Sequence, residues 1–277
     1  TTLLGINRMF NDEVYRKKIL KYVNDPVLIS FWKNEFEVWN QKQLSEYILP
    51  IQNKVGQYLS SKITRNILGQ VKSSFSFRSI MDNSKIFIAN LSKGLIGEDY
   101  SNLLGSMLIS KIQISAMERA NTGKDRRNKF YLFVDEFQNF ATDSFGTILS
   151  EARKYGLSIT MANQYISQLN DALLKSVFGN VGSFISFQVG VEDAEYLEKE
   201  FNNIVTKSDI ISLPRYTGYI RLLVDGMPAT AFAFKTMGEV ISSEENYSET
   251  IKSLSRKKYC KNKDVVEGKI GRFGQNK

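Results

Sequence analysis

The sequence predicts an α/β protein with a mainly parallel sheet, preceded by an all-helical segment. Short apolar runs of the kind found in buried strands recur after residue 70, and stretches with helical spacing separate them. The runs are continuous rather than alternating, as in parallel strands covered by helices on both faces. Residues 11–68 instead place apolar side chains at helical spacing almost throughout.

The predicted organisation has three parts: an all-α domain over residues 1–70, an α/β core over 71–240, and a basic disordered tail over 241–277. Within the core, strands are predicted over 85–90, 130–135, 157–162 and 183–189, with a hairpin over 216–224 and 229–235. Helices are predicted over 99–119, 144–155, 166–178 and 191–201. Asp143 or Ser144 would cap the second of these, and Gly156 would end it.

The composition excludes several kinds of site. The 277 residues include no histidine and one cysteine, Cys260. Ser-His-Asp triads, His-ligated zinc and multi-cysteine metal sites are therefore ruled out. No apolar stretch reaches the length of a membrane span. Because the chain starts at Thr1 rather than Met, we expect a piece of a longer protein, in which a membrane anchor can lie upstream.

The positive charge is concentrated near the end of the chain. Residues 251–277 hold nine Lys and Arg against two acids, so this segment carries +7 of the net +8. Such a segment can contact nucleic-acid phosphates without sequence preference. The alternative is a solvated, disordered terminus with no partner, since the segment has few large apolar groups.

Two acids follow the predicted strand 130–135. The sequence FYLFVDE, ending in Asp135 and Glu136, has the pattern of a Walker B strand of nucleoside triphosphatases. A rigid carboxylate at the sheet edge can hold Mg²⁺ through water, and the next one can polarise the attacking water. The alternative is structural, because acids often begin loops or cap helices after strands.

Other predicted strands also end in polar residues, Asn90 in one case and Asn163 and Gln164 in another. Ligands bind at the carboxyl ends of the strands in parallel α/β sheets. Gln164 can bond a γ-phosphate and the attacking water, or it can simply cap the following helix.

Arg153 and Lys154 end the predicted helix 144–155. Arg153 lies at the flank of the buried stripe, where it can project outward as an arginine finger into a neighbouring subunit. The alternative is a cation favoured by the helix C-terminus. No GxxxxGK[ST] phosphate-binding loop occurs in the chain, so we expect no efficient ATP hydrolysis by this chain alone.

The motifs together resemble the DNA-pumping ATPases of the HerA/FtsK type, and most of all the TraD/TraG/TrwB-like coupling proteins of conjugation and type IV secretion. The resemblance covers most of residues 50–235. It is carried by NLSKG at 90–94, FYLFVDEFQNF at 130–140, LSEARKYG at 149–156, NQYISQL at 163–169, GNVG at 179–182, FQVG at 187–190 and EDA at 192–194.

The resemblance implies a RecA-like P-loop core, with residues before 70 as its helical domain and the P-loop strand upstream of Thr1. It assigns Asp135 to Mg²⁺, Glu136 to water activation, Gln164 to γ-phosphate sensing and Arg153 to a trans-acting role. It makes Arg65 and Lys154 candidates for intersubunit or DNA contacts.

The implied activity is ATP-driven DNA translocation by a ring, expected to be a hexamer, with ATP and Mg²⁺ as cofactors. The implied partners are DNA, type IV secretion components and a relaxase. The implied location is the cytoplasm or the cytoplasmic face of the inner membrane. Two alternatives stay open: a degenerate, non-catalytic nucleic-acid-binding or scaffold module, and an ATPase that moves protein.

Overall fold

The structure is a computed structural model that describes residues 2–141, 145–238 and 246–275. It divides into two compact units. The helical unit comprises Thr1–Ser76, Asn90–Leu104 and Asn246–Lys277, and the α/β unit comprises Phe77–Ala89 and Gly105–Glu245. The chain first passes from one unit to the other between Ser76 and Phe77, and residues 90–104 return to the helical unit.

The helices of the described residues are, in chain order, α1 (Leu4–Asn11), α2 (Glu13–Leu20), α3 (Pro26–Ser30), α4 (Gln41–Ser60), α5 (Lys62–Leu68), α6 (Phe77–Asp82), α7 (Lys93–Ile96), α8 (Glu98–Met117), α9 (Phe145–Glu151), α10 (Asp171–Asn180), α11 (Val191–Glu200), α12 (Lys207–Ile211), α13 (Ser248–Tyr259) and α14 (Lys263–Gln275). In the part of the chain that the structure describes, no helix is both long and apolar enough to cross a bilayer.

The strands are β1 (Phe130–Val134), β2 (Leu157–Met161), β3 (Phe184–Ser186), β4 (Thr217–Arg221), β5 (Leu223–Val224), β6 (Met227–Pro228) and β7 (Phe232–Lys235). β1 and β2 form a parallel pair. β3, β4 and β7 form an antiparallel sheet with β4 in the middle, and β5 and β6 form a short hairpin. The hairpin predicted over 216–235 is confirmed, because β4 pairs with β7 and β5 with β6.

Two helices of the helical unit begin at capping residues that can be recognised in the sequence. Asp25 accepts a hydrogen bond from Val27 N at the start of α3. Asn40 and Gln43 form a reciprocal capping box at the start of α4. Between these helices the chain buries Phe36, whose ring contacts those of Trp32 and Trp39. The aromatic residues here pack on one another.

The tail prediction is corrected by α13 and α14, which occupy most of residues 246–275. α14 has an apolar stripe at helical spacing, Val266, Ile270 and Phe273. Val266 is buried, and the Phe273 ring meets Tyr15 edge-on at 5.7 Å. These apolar groups pack α14 onto the helical unit, although the composition of the segment predicts disorder, whereas α13 has no buried residue. Residues 241–245 of the predicted tail lie outside the described residues.

The α/β unit has two apolar clusters. The larger packs α8, α9 and α10 against one face of β1 and β2, with Phe137 and Phe145 almost fully buried. The smaller lies around α11 and α12 and includes Ala194 and Phe201. The second cluster packs against the antiparallel sheet through Phe184 and Tyr219.

Three expectations about the sheet differ from the structure. Residues 85–90 form no strand. Of their three large apolar side chains, Phe87 packs into the core, whereas Ile86 and Ile88 stay exposed. β1 is not covered on both faces, since Tyr131 and Phe133 are 59% and 73% exposed. Of the described strands only β1 and β2 pair in parallel, so the sheets are not mainly parallel.

The helix predicted over 144–155 is shorter than expected. α9 ends at Glu151, and a 3-10 segment, Ala152–Tyr155, continues to Gly156. Gly156 has the left-handed conformation, with φ 71°, that the predicted helix end requires. The predicted caps Asp143 and Ser144 lie outside the described residues.

Candidate functional site

The parallel register of β1 and β2 brings the ends of both strands to one edge of the α/β unit. Val134 lies opposite Met161 as the last pair of the ladder. Two further backbone bonds hold the segments that follow, Ala162 N to Val134 O at 2.9 Å and Phe137 N to Ala162 O at 3.0 Å. The residues after each strand therefore begin from a fixed common edge.

Glu136 adopts a left-handed backbone conformation immediately after β1, with φ 47° and ψ 46°. This conformation costs a side-chain-bearing residue energy that glycine does not incur. Its backbone N–H donates to Asp135 Oδ1 at 3.0 Å, so the turn is closed by the neighbouring acid. Such strain is frequent at functional sites.

The side chain of Glu136 accepts hydrogen bonds from two amides. Gln164 Nε2 donates to Glu136 Oε1 at 3.4 Å, and Asn139 Nδ2 donates to Oε2 at 3.1 Å. Asn139 lies within the motif at 130–140, but no role was predicted for it. The spacing in the sequence could have indicated this contact, because a residue three positions after Glu136 lies next to Glu136 across one 3-10 turn.

Asp135 is exposed at the same edge. Among the described residues, no group of three or more Asp, Glu, His and Cys side chains could enclose a metal ion. Mg²⁺ commonly binds through one or two carboxylates, with waters and substrate phosphates completing its octahedron. An exposed Asp135 beside Glu136 suits a Mg²⁺ ion that takes one or two ligands from the protein and the rest from water and phosphate. It does not suit a Mg²⁺ ion held by protein ligands alone.

Arg153 lies at the opposite end of β2. All of β2 lies between Arg153 and Gln164 in the chain, and an extended strand of five residues spans about 16 Å. Within the described part of the chain its guanidinium makes no hydrogen bond or ion pair, and the side chain is exposed. Lys154 is also exposed, and its Nζ lies 3.7 Å from Glu151 Oε1. The structure does not bring Arg153 to Glu136.

Arg65 belongs to α5 of the helical unit. Its guanidinium donates to the carbonyl oxygen of Leu59 at 3.1 Å, which ties the end of α4 to α5. The side chain is half-buried rather than projecting into solvent. A structural role is therefore observed for Arg65, and its predicted contact with DNA or another subunit stays a prediction.

An open groove of about 1330 Å³ runs beside β2 in the α/β unit. Its lining includes Arg153 from one end of β2, Gln164 from the other, and Ser158 and Thr160 from the strand between them. Ile185 of β3 lines it as well. Asp135 and Glu136 are not among the described residues that line it, so Gln164 stands between the groove and Glu136.

Residues 129–210 match the family model described as the TraM recognition site of TraD and TraG. The match includes Asp135, Glu136, Arg153 and Gln164, and it excludes Arg65. No curated protein matches the chain. Over these residues the chain is therefore similar to the C-terminal region of conjugative coupling proteins of the TraD and TraG type.

Proposed function

We propose that this chain is the motor portion of an ATP-driven DNA translocase of the conjugative coupling type. Its core would be RecA-like, and it would work as a homo-oligomeric ring, expected to be a hexamer, with ATP and Mg²⁺. The observation that carries the proposal is the meeting of Glu136 and Gln164 at the carboxyl ends of two parallel strands. The match to a conjugation family over the same residues supports it.

Each side chain at this edge has a chemical task in the proposal. Asp135 would hold Mg²⁺ through water, and Glu136 would take the proton of the attacking water. Gln164 would exchange its bond to Glu136 for one to the γ-phosphate or the water. Mg²⁺ would supply charge neutralisation on the phosphates. Such a site also needs a Walker A loop, which these 277 residues do not contain.

Arg153 would act in a neighbouring subunit. Its exposed position before β2, at the end of the strand opposite Gln164, suits a residue that reaches out of its own subunit rather than into its own site. An arginine supplied in trans typically raises the rate of phosphoryl transfer 10³–10⁵-fold. Arg65 and Lys154 remain proposed contacts to DNA or to another subunit.

A protein partner is also part of the proposal. The matched family model is described as a recognition site for TraM, so we propose that residues 129–210 bind a protein partner of conjugation. Type IV secretion components and a relaxase are further proposed partners. The proposed location is the cytoplasm or the cytoplasmic face of the inner membrane.

The second candidate is a non-catalytic nucleic-acid-binding module, favoured by the end of α13. Arg256, Lys257 and Lys258 are all exposed in its last turn. Deleting residues 251–277 would damage the helical unit, because Val266 is buried there. Replacing the three cations by Ala is the sharper test, with a Lys17, Lys18 and Lys21 triple variant as a control of equal charge change.

The deciding experiment measures ATP hydrolysis by the complete gene product that carries this chain, with and without DNA. The DNA translocase predicts hydrolysis that DNA stimulates. Hydrolysis without DNA stimulation favours the motor that moves protein. Absence of hydrolysis, together with DNA binding that weakens only in the α13 triple variant, favours the binding module.

A further inference from the structure

The loop that carries Gln164 is held by a carboxylate from a different element. Asp193 Oδ2 accepts a hydrogen bond from the backbone N–H of Ile166 at 3.0 Å. Asp193 lies in the first turn of α11, 27 positions further along the chain, and only 8% of it is exposed. Ile166 follows Gln164 by two residues, so this bond fixes the backbone next to the proposed sensor.

The bond meets a specific need of the loop. Ile166 begins a 3-10 turn, Ile166–Gln168, and the residue before it, Tyr165, makes no side-chain capping bond. The first N–H groups of a helical turn have no acceptor inside the turn. Asp193 supplies that acceptor from outside. The start of this turn is therefore satisfied by a side chain of α11.

Asp193 is itself held firmly. It is the third residue of α11, where the positive end of the helix favours a negative charge. The next residue, Ala194, is fully buried, and Ile166 packs against the same apolar cluster. The carboxylate and the N–H are therefore joined to one packed body, which leaves little freedom between them.

The bond from Gln164 to Glu136 cannot set the position of Gln164 alone. It is 3.4 Å long, at the weak end of the hydrogen-bond range, and Gln164 is exposed. An exposed side chain with one long bond takes its position from its backbone. Among the described residues on the C-terminal side of Gln164, the Tyr165 carbonyl is bonded only within the loop, and the Ile166–Asp193 contact is the nearest bond that ties this backbone to another element.

We propose that Asp193 is a positioning residue, which sets Gln164 against Glu136 by fixing the backbone two residues after Gln164. The same contact links α11 to the edge of the β1–β2 pair, so a shift of either would be transmitted to the other. The consequence for hydrolysis rests on the proposed function, whereas the placement of Gln164 does not.

The first test uses NMR on the 277-residue chain. It follows hydrogen exchange of the Ile166 amide and the side-chain amide signal of Gln164. Asp193→Ala should accelerate Ile166 exchange at least about tenfold and shift the Gln164 signal, because a local bond has opened. Asp193→Asn retains an acceptor oxygen and should restore both. Glu192→Ala, which removes an exposed acid one position earlier, should change neither.

Unchanged Ile166 exchange in Asp193→Ala would overturn the proposal, as would an unmoved Gln164 signal once Ile166 exchange has accelerated. The amides of β1 and β2 report whether the unit remains folded. If Asp193→Ala unfolds it, Asp193→Glu keeps the charge and lengthens the side chain by one methylene. That variant should shift the Gln164 signal, and an unmoved signal would count against the proposal.

The second test separates this inference from the proposed function. In an active complete gene product, Asp193→Ala should lower kcat by about ten- to a hundredfold through misplacement of Gln164, with little change in KM for ATP. Asp193→Asn should recover most of the rate. An unaltered kcat in Asp193→Ala overturns the positioning role. A gene product without any ATPase activity overturns the proposed function, while the NMR result still decides the placement of Gln164.

Discussion

The side-chain amide of Gln164 donates to the carboxylate of Glu136 across 3.4 Å, although 28 positions separate them in the chain. The contact exists because β1 and β2 pair in parallel and end together. An amide in this place can leave the carboxylate and bond a phosphate or water instead. The contact therefore offers a way to couple the state of a bound nucleotide to the proposed base.

Gln164→Ala should lower kcat for ATP hydrolysis by about tenfold or more, since the proposed base loses its aligned amide partner. The free energy of unfolding should change by less than about 0.5 kcal/mol because the side chain is exposed. Steady-state kinetics and urea unfolding check the two statements. Gln168→Ala removes another exposed amide of the same loop and should leave the rate unchanged; equal losses in both variants would contradict a specific role.

Glu136→Gly should be more stable than Glu136→Ala by about 1 kcal/mol. Both variants lack the carboxylate, but only glycine adopts φ 47° without a steric cost. Urea unfolding measures this difference in the free energy of unfolding. Hydrogen exchange of the β1 amides measures it a second time, within the α/β unit. A more stable alanine variant would show that the left-handed conformation carries no strain. Both variants should lose hydrolysis.

Arg119 anchors the loop that leads into β1. It is fully buried, it donates to the carbonyl oxygen of Asn128, and its Nε lies 3.3 Å from Asp82 Oδ1. Burial lowers the pKa of this guanidinium from its ordinary value, and Asp82 opposes that shift. Arg119→Ala should therefore destabilise the α/β unit by about 2–4 kcal/mol.

Hydrogen exchange of the β1 amides measures the loss of stability in Arg119→Ala. The exposed Arg126→Ala is its control, and should cost less than about 0.5 kcal/mol. Tryptophan fluorescence reports on the helical unit alone, because Trp32 and Trp39 both belong to it. Equal destabilisation by the two Arg variants would exclude an anchoring role for Arg119.

Arg153→Ala should reduce hydrolysis 10³-fold or more if it acts as a trans-acting arginine. Its effect should be dominant, so that adding the variant to wild-type protein lowers the rate by more than dilution. Rates measured across mixing ratios check this, with Arg126→Ala as the control. A linear dependence on the wild-type fraction would indicate that Arg153 acts within its own subunit or not at all.

The sequence predicted β1, β2 and the left-handed Gly156 well, because each depends on local signals. At β1 a run of five apolar residues followed by two acids indicates the strand, and the parallel partner β2 is present. That Glu136 and Gln164 lie at one sheet edge also followed from the sequence, once both strands were assumed parallel, but the hydrogen bond between them was not predicted. Whether these residues hydrolyse ATP stays a prediction.

What the sequence missed depends on long-range packing. Residues 85–90 look like a strand, but a strand needs a partner edge, and a run of apolar residues does not specify one. The helix α14 was missed because its three apolar side chains at helical spacing find a surface only in the folded unit, and α13 was missed because it buries no residue at all. The bond from Asp193 to Ile166 has no sequence signal, since an acid in the first turn of a helix normally serves that helix.

The most direct measurement is DNA-stimulated ATP hydrolysis by the complete gene product with Glu136→Gln, compared with wild type. Removing the base while keeping the shape of the side chain should lower kcat by about 10²–10⁴-fold. Nucleotide binding should persist, since Asp135 is intact. A Glu136→Gln protein that hydrolyses ATP at the wild-type rate, with the same DNA stimulation, would contradict the assignment of the ATPase centre to this edge.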